Sequence, residues 1–339
     1  MWLWLLALLG LWLLWRWHRE RQTVPGLTEK FVLITGCDSG FGSVLARQLD
    51  ARGLRVLAGC LTEQGAMRLR ADTSPRLQTV LLDVTSSSSI AATAAWVQER
   101  VGERGRRGPE WGGGAAGVLA NPVCIPGLWG LVNNAGIAIP TAPNEWLRKE
   151  DFVRVLNVNL VGLIEVTLSL LPQLKRARGR VVNVASVMGR LACFGGGDCP
   201  SKFGVEAFSD SLRLEMRPFG VKVSIIEPGY FKTNITNSEA IEKSFISIWE
   251  RLSDETKASY GKNYLQEFLA ATRAMTKKCN PNLSLVTDCM EHALTSCHPR
   301  CRYAAGWDAK LLYIPLCYLP SALSDIILTW SYPKPAQSE

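Results

Sequence analysis

Several features that would classify a chain quickly are missing here. The ten cysteines include no C-x-x-C pair, and 339 residues can build a core without covalent staples. A disulfide scaffold is therefore excluded, and the thiols read as reduced. One local cluster, Cys289, His292, Cys297, His298 and Cys301, has the spacing of no zinc module, and no metal is expected. Net charge is +8, yet the basic residues are scattered and form no nucleic-acid-binding module, so nucleic acid is not an expected partner. A basic surface beside an anionic membrane is the more economical reading.

The leading apolar run, residues 1–15, has no basic segment before it and no small-residue cleavage site after it. Those absences argue against a secretory signal and for an uncleaved anchor over residues 1–17. Such a helix would be about 26 Å long, close to the thickness of a thin bilayer. Trp2, Trp4, Trp15 and Trp17 would then lie near the two interfaces. Arg16, His18, Arg19 and Arg21 follow the run, and charge after the anchor predicts a cytosolic domain. A buried or membrane-surface helix is the alternative, since the run is shorter than a typical span.

The rest of the chain, 47% hydrophobic overall, suits one large α/β domain or two small ones. Residues 18–28 read as a basic linker, and residues 31–34 form a short apolar run, as in a strand buried on both faces. The chain then turns at Gly36, Gly40 and Gly42. Their spacing is G-x-x-x-G-x-G, not the G-x-G-x-x-G of the dinucleotide fingerprint, but the physics is shared: a bulk-free loop leads into a helix N-terminus that can receive a pyrophosphate. A tight turn with no ligand is the bland alternative.

Further strands are predicted at 55–60, 77–84, 128–132, 179–186 and 221–227, and helices at 62–70, 150–176 and 201–217. The run Ser86 to Ser89 caps another helix that extends to about residue 101. Alternation at this spacing means a doubly wound parallel sheet with helices on both faces. Glu206, Asp210 and Arg213 are expected on the polar side of the 201–217 helix. Residues 230–339 read as helical and less regular, and the apolar segment 311–339 as a cover over a pocket or a surface touching the membrane. Residues 106–127, rich in Gly and Arg, have no amphipathic period and read as a disordered addition to a complete domain.

The motifs TGCDSGFG, LDVT, NNAG, GRVVNVAS, the pair Ser201-Lys202 and EPGYFKT occur in the order of the short-chain dehydrogenase/reductase superfamily, which the chain resembles. RVLNVNLVGLIEVTLSLLP, FGVEAFSDSLR and GWDAKLLYIPL look like its microsomal retinol and hydroxysteroid dehydrogenase branch. The resemblance implies a single Rossmann-like domain over residues 29–310 and oxidation of lipophilic alcohols, retinol or 3α-hydroxysteroids, at the endoplasmic reticulum membrane. It also implies a homodimer through the 150–176 and 201–217 helices. Gly36, Ser39, Gly40 and Gly42 would then bind the cofactor pyrophosphate and ribose, Asp83 the adenine edge, and Asn133 would line the cleft. Pro228, Gly229 and Thr233 would lie along the nicotinamide. After the second strand, residues 60–63 offer no cation for a ribose phosphate, which favours NAD over NADP.

Three of the four expected catalytic residues match: Ser186 to bind the reacting oxygen, Lys202 to hold the ribose, and Asn159 to complete a water relay. The fourth is absent. Four residues before Lys202 the family has tyrosine, and this chain has Asp198. A carboxylate, with a reference pKa of about 3.9 against about 10 for a phenol, is a far weaker base toward an alcohol and reaches less far. Lys202 is expected to hold it ionised. The bland reading is a helix cap at Asp198 with Pro200 in the first turn. A non-catalytic dinucleotide- or lipid-binding protein is accordingly the alternative to a dehydrogenase.

Overall fold

The computed structural model describes residues 2–102, 127–193, 195–330 and 332–336. Except for Gly127, the stretch 106–127 lies outside them. Seven strands form one sheet: β1 (Phe31–Thr35), β2 (Arg55–Cys60), β3 (Gln78–Leu81), β4 (Gly130–Asn133), β5 (Arg180–Val184), β6 (Lys222–Pro228) and β7 (Arg302–Ala305). All are parallel, in the order β3-β2-β1-β4-β5-β6-β7. The order reverses between β1 and β4, and at such a switch point a crevice opens beyond the carboxyl ends of the strands.

The helices are α1 (Trp2–Glu20), α2 (Gly40–Ala51), α3 (Glu63–Ala71), α4 (Ser87–Gly102), α5 (Lys149–Leu156), α6 (Leu163–Ala177) and α7 (Asp198–Met216). After them come α8 (Ser238–Glu250), α9 (Asp254–Tyr260), α10 (Tyr264–Lys277), α11 (Ser284–Thr295), α12 (Ile314–Leu316) and α13 (Ser321–Thr329). Side chains alternate along each strand. Val32 and Ile34 of β1 therefore meet Leu45 and Leu49 of α2 and Met290 and Leu294 of α11. Phe31 and Leu33 meet the opposite layer, with Val97 of α4, Leu170 of α6 and Leu212 of α7.

Three expectations change. β7 was not predicted: it is four residues long, its inward positions are only Tyr303 and Ala305, and it lies within a stretch read as helical. α7 begins at Asp198, not Ser201, and its cap is Gly197, so Asp198 is the first helical residue and caps nothing. Glu206 is not on a polar face. It is buried at 6% exposure between α7, β6 and β7, where Arg302 of β7 pairs with Glu206, Asp210 and Glu227, and Arg190 joins Glu227 at 3.0 Å.

The α5–α6 unit runs as one helix from Lys149 to Ala177 and is the described helix long and apolar enough to cross a membrane. Val166, Leu170 and Leu174 belong to the core, so it is the fold's own central helix. Its turns widen at Asn157–Gly162, where Gly162 rests against the Val84 carbonyl and leaves no room for a Cβ. α1 exposes Leu8, Leu11, Leu14, Trp4, Trp15 and Trp17, but its C-terminal end is docked. Glu20 pairs with Arg16 and Arg300, His292 Nε2 meets the Glu20 carbonyl at 2.8 Å, and the Cys297 amide donates to Gln22. The other ring nitrogen of His292 meets the Tyr303 hydroxyl at 2.8 Å, and no described group of His, Cys, Asp and Glu is arranged to hold a metal.

Burial, with Glu227 close by, pushes the Glu206 carboxyl up to about 7, and Arg302 offsets this only in part. The folded value lies above the unfolded one, so the native state holds a proton that the unfolded chain releases between roughly pH 4.5 and 7. Stability is then present at low pH and lost as pH rises through that window, by roughly 3 kcal/mol. In Glu206→Gln this loss disappears while Glu227 and Asp210 still hold Arg302. Thermal melts from pH 5 to pH 8 should show the variant gaining on the native protein as pH rises; parallel curves would refute the assignment.

Candidate active site

β1 ends at Thr35, whose hydroxyl accepts from the amides of Asn134 and Ala135, both at 3.0 Å. Gly36 follows at φ 70°, and a Cβ there would lie 2.8 Å from the Ala135 Cα. Gly42, one turn into α2, faces the Gly36 carbonyl, and its Cβ would lie 2.5 Å from Asn134 Nδ2. The turn after β1 is thus pressed onto the exit of β4, and only hydrogens fit between. Ser39 caps α2 without a side-chain bond to the helix, leaving the first-turn amides of α2 free for an anion. These features fit a dinucleotide pyrophosphate.

From this turn a cavity of about 950 Å³ extends over the ends of the strands. Gly36, Ser39, Gly40, Asp83, Ser186, Asp198, Lys202, Pro228, Gly229 and Thr233 all line it. Its far end is apolar, with Ile241, Phe245, Phe268, Met275, Leu312, Leu316 and Leu328. Gly42, Asn133 and Asn159 do not line it. Gly42 stands behind Gly36. Asn133 points under the sheet and donates to Thr167 and Asn183, both at 2.8 Å, while its neighbour Asn134 reaches the wall. Strand alternation accounts for the exchange: adjacent residues face opposite ways.

Asn159 sits on the widened turns between α5 and α6, almost fully buried. Its Oδ1 accepts from the Ile137 amide at 2.8 Å, and its Nδ2 donates to the Ile137 carbonyl at 2.8 Å and to Ser201 Oγ at 3.0 Å. Lys202 Nζ donates to the Val184 carbonyl at 3.1 Å. Gly136 lies between the two: a Cβ there would be 3.3 Å from Asn159 Oδ1 and 3.8 Å from Lys202 Nζ. Ser186 Oγ accepts from the Met188 amide at 3.1 Å, which leaves its proton available to a ligand.

Asp198 and Lys202 are one turn apart on α7. Burial pushes the Asp198 carboxyl above its ordinary range, and Lys202 offsets this only in part. Burial likewise lowers Lys202, against the pull of Asp198 and Glu206. The expectation that Lys202 dominates is therefore corrected: desolvation outweighs the ion pair. Tyr230 lines the cavity, its ring 5.7 Å from Tyr313, but burial drives its phenol well above 10 and no cation acts on it, so it is not a matched replacement for the missing tyrosine.

Sequence reasoning missed two charged residues. Asp38 accepts from the amides of Leu61 at 2.7 Å and Thr62 at 2.9 Å, tying the glycine turn to the end of β2. Arg68, one turn beyond the segment searched for a cation, lines the same end of the cavity. Its distance in sequence from β2 hid it, and only the rise of α3 brings it back.

A doubly wound parallel sheet, a glycine turn at its switch point, and a Ser and Lys converging on one cavity define a nucleotide-linked oxidoreductase. The family model described as short chain dehydrogenase matches residues 30–104 and 122–244, and the chain belongs to that family. Within it the chain falls in the retinol and hydroxysteroid dehydrogenase branch. It is 58% identical over 338 residues to retinol dehydrogenase 16 of Homo sapiens, and 55% identical to 17-beta-hydroxysteroid dehydrogenase type 6 of Homo sapiens, with 100% of each chain covered. Two solved structures share the fold. A short-chain dehydrogenase from Burkholderia phymatum with NAD has a TM-score of 0.64 at 18% identity, over 91% of this chain and 98% of its own. One from Burkholderia cenocepacia with NADP has 0.60 at 20%, over 90% and 100%.

Because a Cβ at position 42 would displace both the Gly36 carbonyl and Asn134, Gly42→Ala should weaken NADH binding by at least about tenfold. Fluorescence titration measures it, and unchanged affinity would remove the turn from the cofactor site.

Proposed function

We propose that this chain is a membrane-anchored, NAD-linked dehydrogenase of lipophilic alcohols, retinol or 3α-hydroxysteroids, with turnover reduced by Asp198. The observation that carries the reading is the continuity of one cavity from the glycine turn, past Ser186 and Lys202, to an apolar chamber of a lipid's dimensions. The names of its full-length relatives support a retinol or hydroxysteroid substrate, the steroid position they name being 17β. The exposed apolar surface of α1 supports an anchor, the resemblance to microsomal dehydrogenases supports the endoplasmic reticulum membrane, and the charge after α1 supports a cytosolic domain.

A bound nicotinamide supplies hydride acceptance. Gly36, Ser39, Gly40 and the amides of α2 would hold its pyrophosphate, with Gly42 leaving the backbone room to approach. Asp83, one of whose oxygens is taken by the Thr85 amide at 2.8 Å, serves the adenine edge. Pro228, Gly229 and Thr233, which line the cavity, would border the nicotinamide. Asp38 sets a negative charge beside the end of β2, where a ribose phosphate would come, and this supports NAD; Arg68 is the cation on that wall that NADP would use. Ser186 donates its hydroxyl proton to the reacting oxygen. Lys202 and Asn159 lie on either side of Gly136, so a relay through Asn159 would run past that residue.

The step without a matched group is proton removal from the alcohol. Asp198 ends several ångströms short of a phenol's reach, and even raised by burial its carboxyl starts from about 3.9 rather than 10. Asp198→Tyr should therefore increase NADH formation from all-trans-retinol or androsterone on the order of 10²-fold. NAD binding without turnover in both proteins would favour the second reading, a non-catalytic dinucleotide- or lipid-binding protein, which Asp198 itself supports.

Topology has its own probe. The Asn234 side-chain Nδ2 donates to Ser39 Oγ at 3.0 Å on the cavity wall, and both Asn234 and Asn282 begin glycosylation sequons. A cytosolic domain leaves both unmodified, and a mobility shift on endoglycosidase treatment would overturn that orientation. A homodimer through α5–α6 and α7 is supported by exposed Val161, Leu168, Phe203 and Leu214 on those helices.

A further inference from the structure

Beside the large cavity lies a smaller one of about 290 Å³, between Asn144 and Gly195 on one side and Asp325 and Thr329 of α13 on the other. Cys193, Leu328 and Tyr332 line both, so these three side chains form the partition. The two walls are held differently. Thr141 Oγ1 donates to the Gly195 carbonyl at 2.9 Å, and the Gly196 amide donates to Asn144 Oδ1 at 3.1 Å, which fixes the inner wall. The hydrogen bonds of α13 run within the helix, to Pro320 at its cap, and at its end from the Tyr332 amide to the Thr329 carbonyl at 3.0 Å. Its flanks are tethered by Arg190 to the Tyr318 hydroxyl at 3.4 Å and by the Ala336 amide to the Tyr260 carbonyl at 3.0 Å. The helix is a strap held at both ends, with Ser324 its buried residue and Leu328 on the wall of both cavities.

Its outer face carries Leu319, Leu323 and Ile326, all exposed, between Tyr318 at 74% and Trp330 at 85%. Aliphatic side chains flanked by exposed aromatics suit the boundary between lipid tails and headgroups, where an aromatic ring has both an apolar body and a polar edge to satisfy. Nine residues cannot span a bilayer but can lie in its surface. Water is a poor environment for so continuous an apolar face.

We propose that α13 lies in the bilayer interface as a strap over a side entrance. A lipophilic alcohol leaves the membrane beneath it, occupies the small cavity, and passes Cys193, Leu328 and Tyr332 into the large one. The route keeps an apolar molecule out of water and meets the large cavity at its apolar end, away from the glycine turn. This inference rests on the lipophilic-substrate reading above.

The test uses the full-length protein in phosphatidylcholine vesicles. With Ile326→Cys, a membrane-soluble maleimide should label position 326 about tenfold faster than a charged one, relative to exposed Cys301 as the aqueous reference, in peptide-mapped mass spectra. Equal labelling by both reagents would overturn the seating. So would protection from both that grows with protein density, which would mean a second copy covers the face. Stopped-flow transfer of all-trans-retinol from vesicles tests the entrance: Leu328→Trp should slow it about tenfold and Leu328→Ala speed it, with NADH affinity unchanged in each. Unaltered transfer in both variants would overturn the entrance. Failure of the native protein to bind retinol or androsterone at all would sink the functional reading and the entrance with it, while labelling at 326 still decides where α13 sits.

Discussion

The contact on which the rest depends is the one between the turn after β1 and the exit of β4. Thr35, Gly36 and Gly42 close onto Asn134 and Ala135 so tightly that a single added carbon has nowhere to go. That contact binds the two halves of the sheet at the point where strand order reverses, and it aims the N-terminus of α2 into the crevice. The cavity follows from it: β1, β4, β5 and β6 end around one space, and whatever they carry at their carboxyl ends converges there.

What converges includes a serine, a lysine and an aspartate on one cavity wall. Ser186 and Lys202 line the cavity, Asn159 is buried behind Gly136, and Asp198, the first residue of α7, lines it one turn before Lys202. Burial moves Asp198 and Lys202 in opposite directions, the acid up and the base down, so each is drawn toward its neutral form. In a solvated pair the charges would reinforce each other. Here desolvation outweighs the attraction, and each group on this cavity wall is shifted toward its neutral form.

Legibility in the sequence tracked how local each cause was. β1, β2 and the helix from α5 to α6 were readable because their burial repeats along the chain, and burial repeats because each element packs on one or two faces. β7 was not, because its membership depends on the edge offered by β6 and on Arg302 finding three carboxylates from α7 and β6. The same network removed Glu206 from the polar face assigned to it: a carboxylate in a helical sequence looks solvated until its partners are known. Asn133 and Asn134 exchanged places for a reason of one residue's parity. Arg68 escaped notice since a cation can approach a ribose from the next helix as well as from the strand end.

The sequence by itself determined the parallel α/β alternation, the glycine turn, the Ser and Lys at family spacing, and the absence of a tyrosine at position 198. These are properties of residue type and spacing, and no packing can alter them. Only the tertiary structure decided which asparagine faces the cavity, how far burial outweighs Lys202 at Asp198, that α1 is docked through Glu20 and His292, and that α13 straps a second cavity beside the first. Those outcomes depend on distances between residues far apart in the chain, and on how much water remains between them, which a linear pattern does not contain.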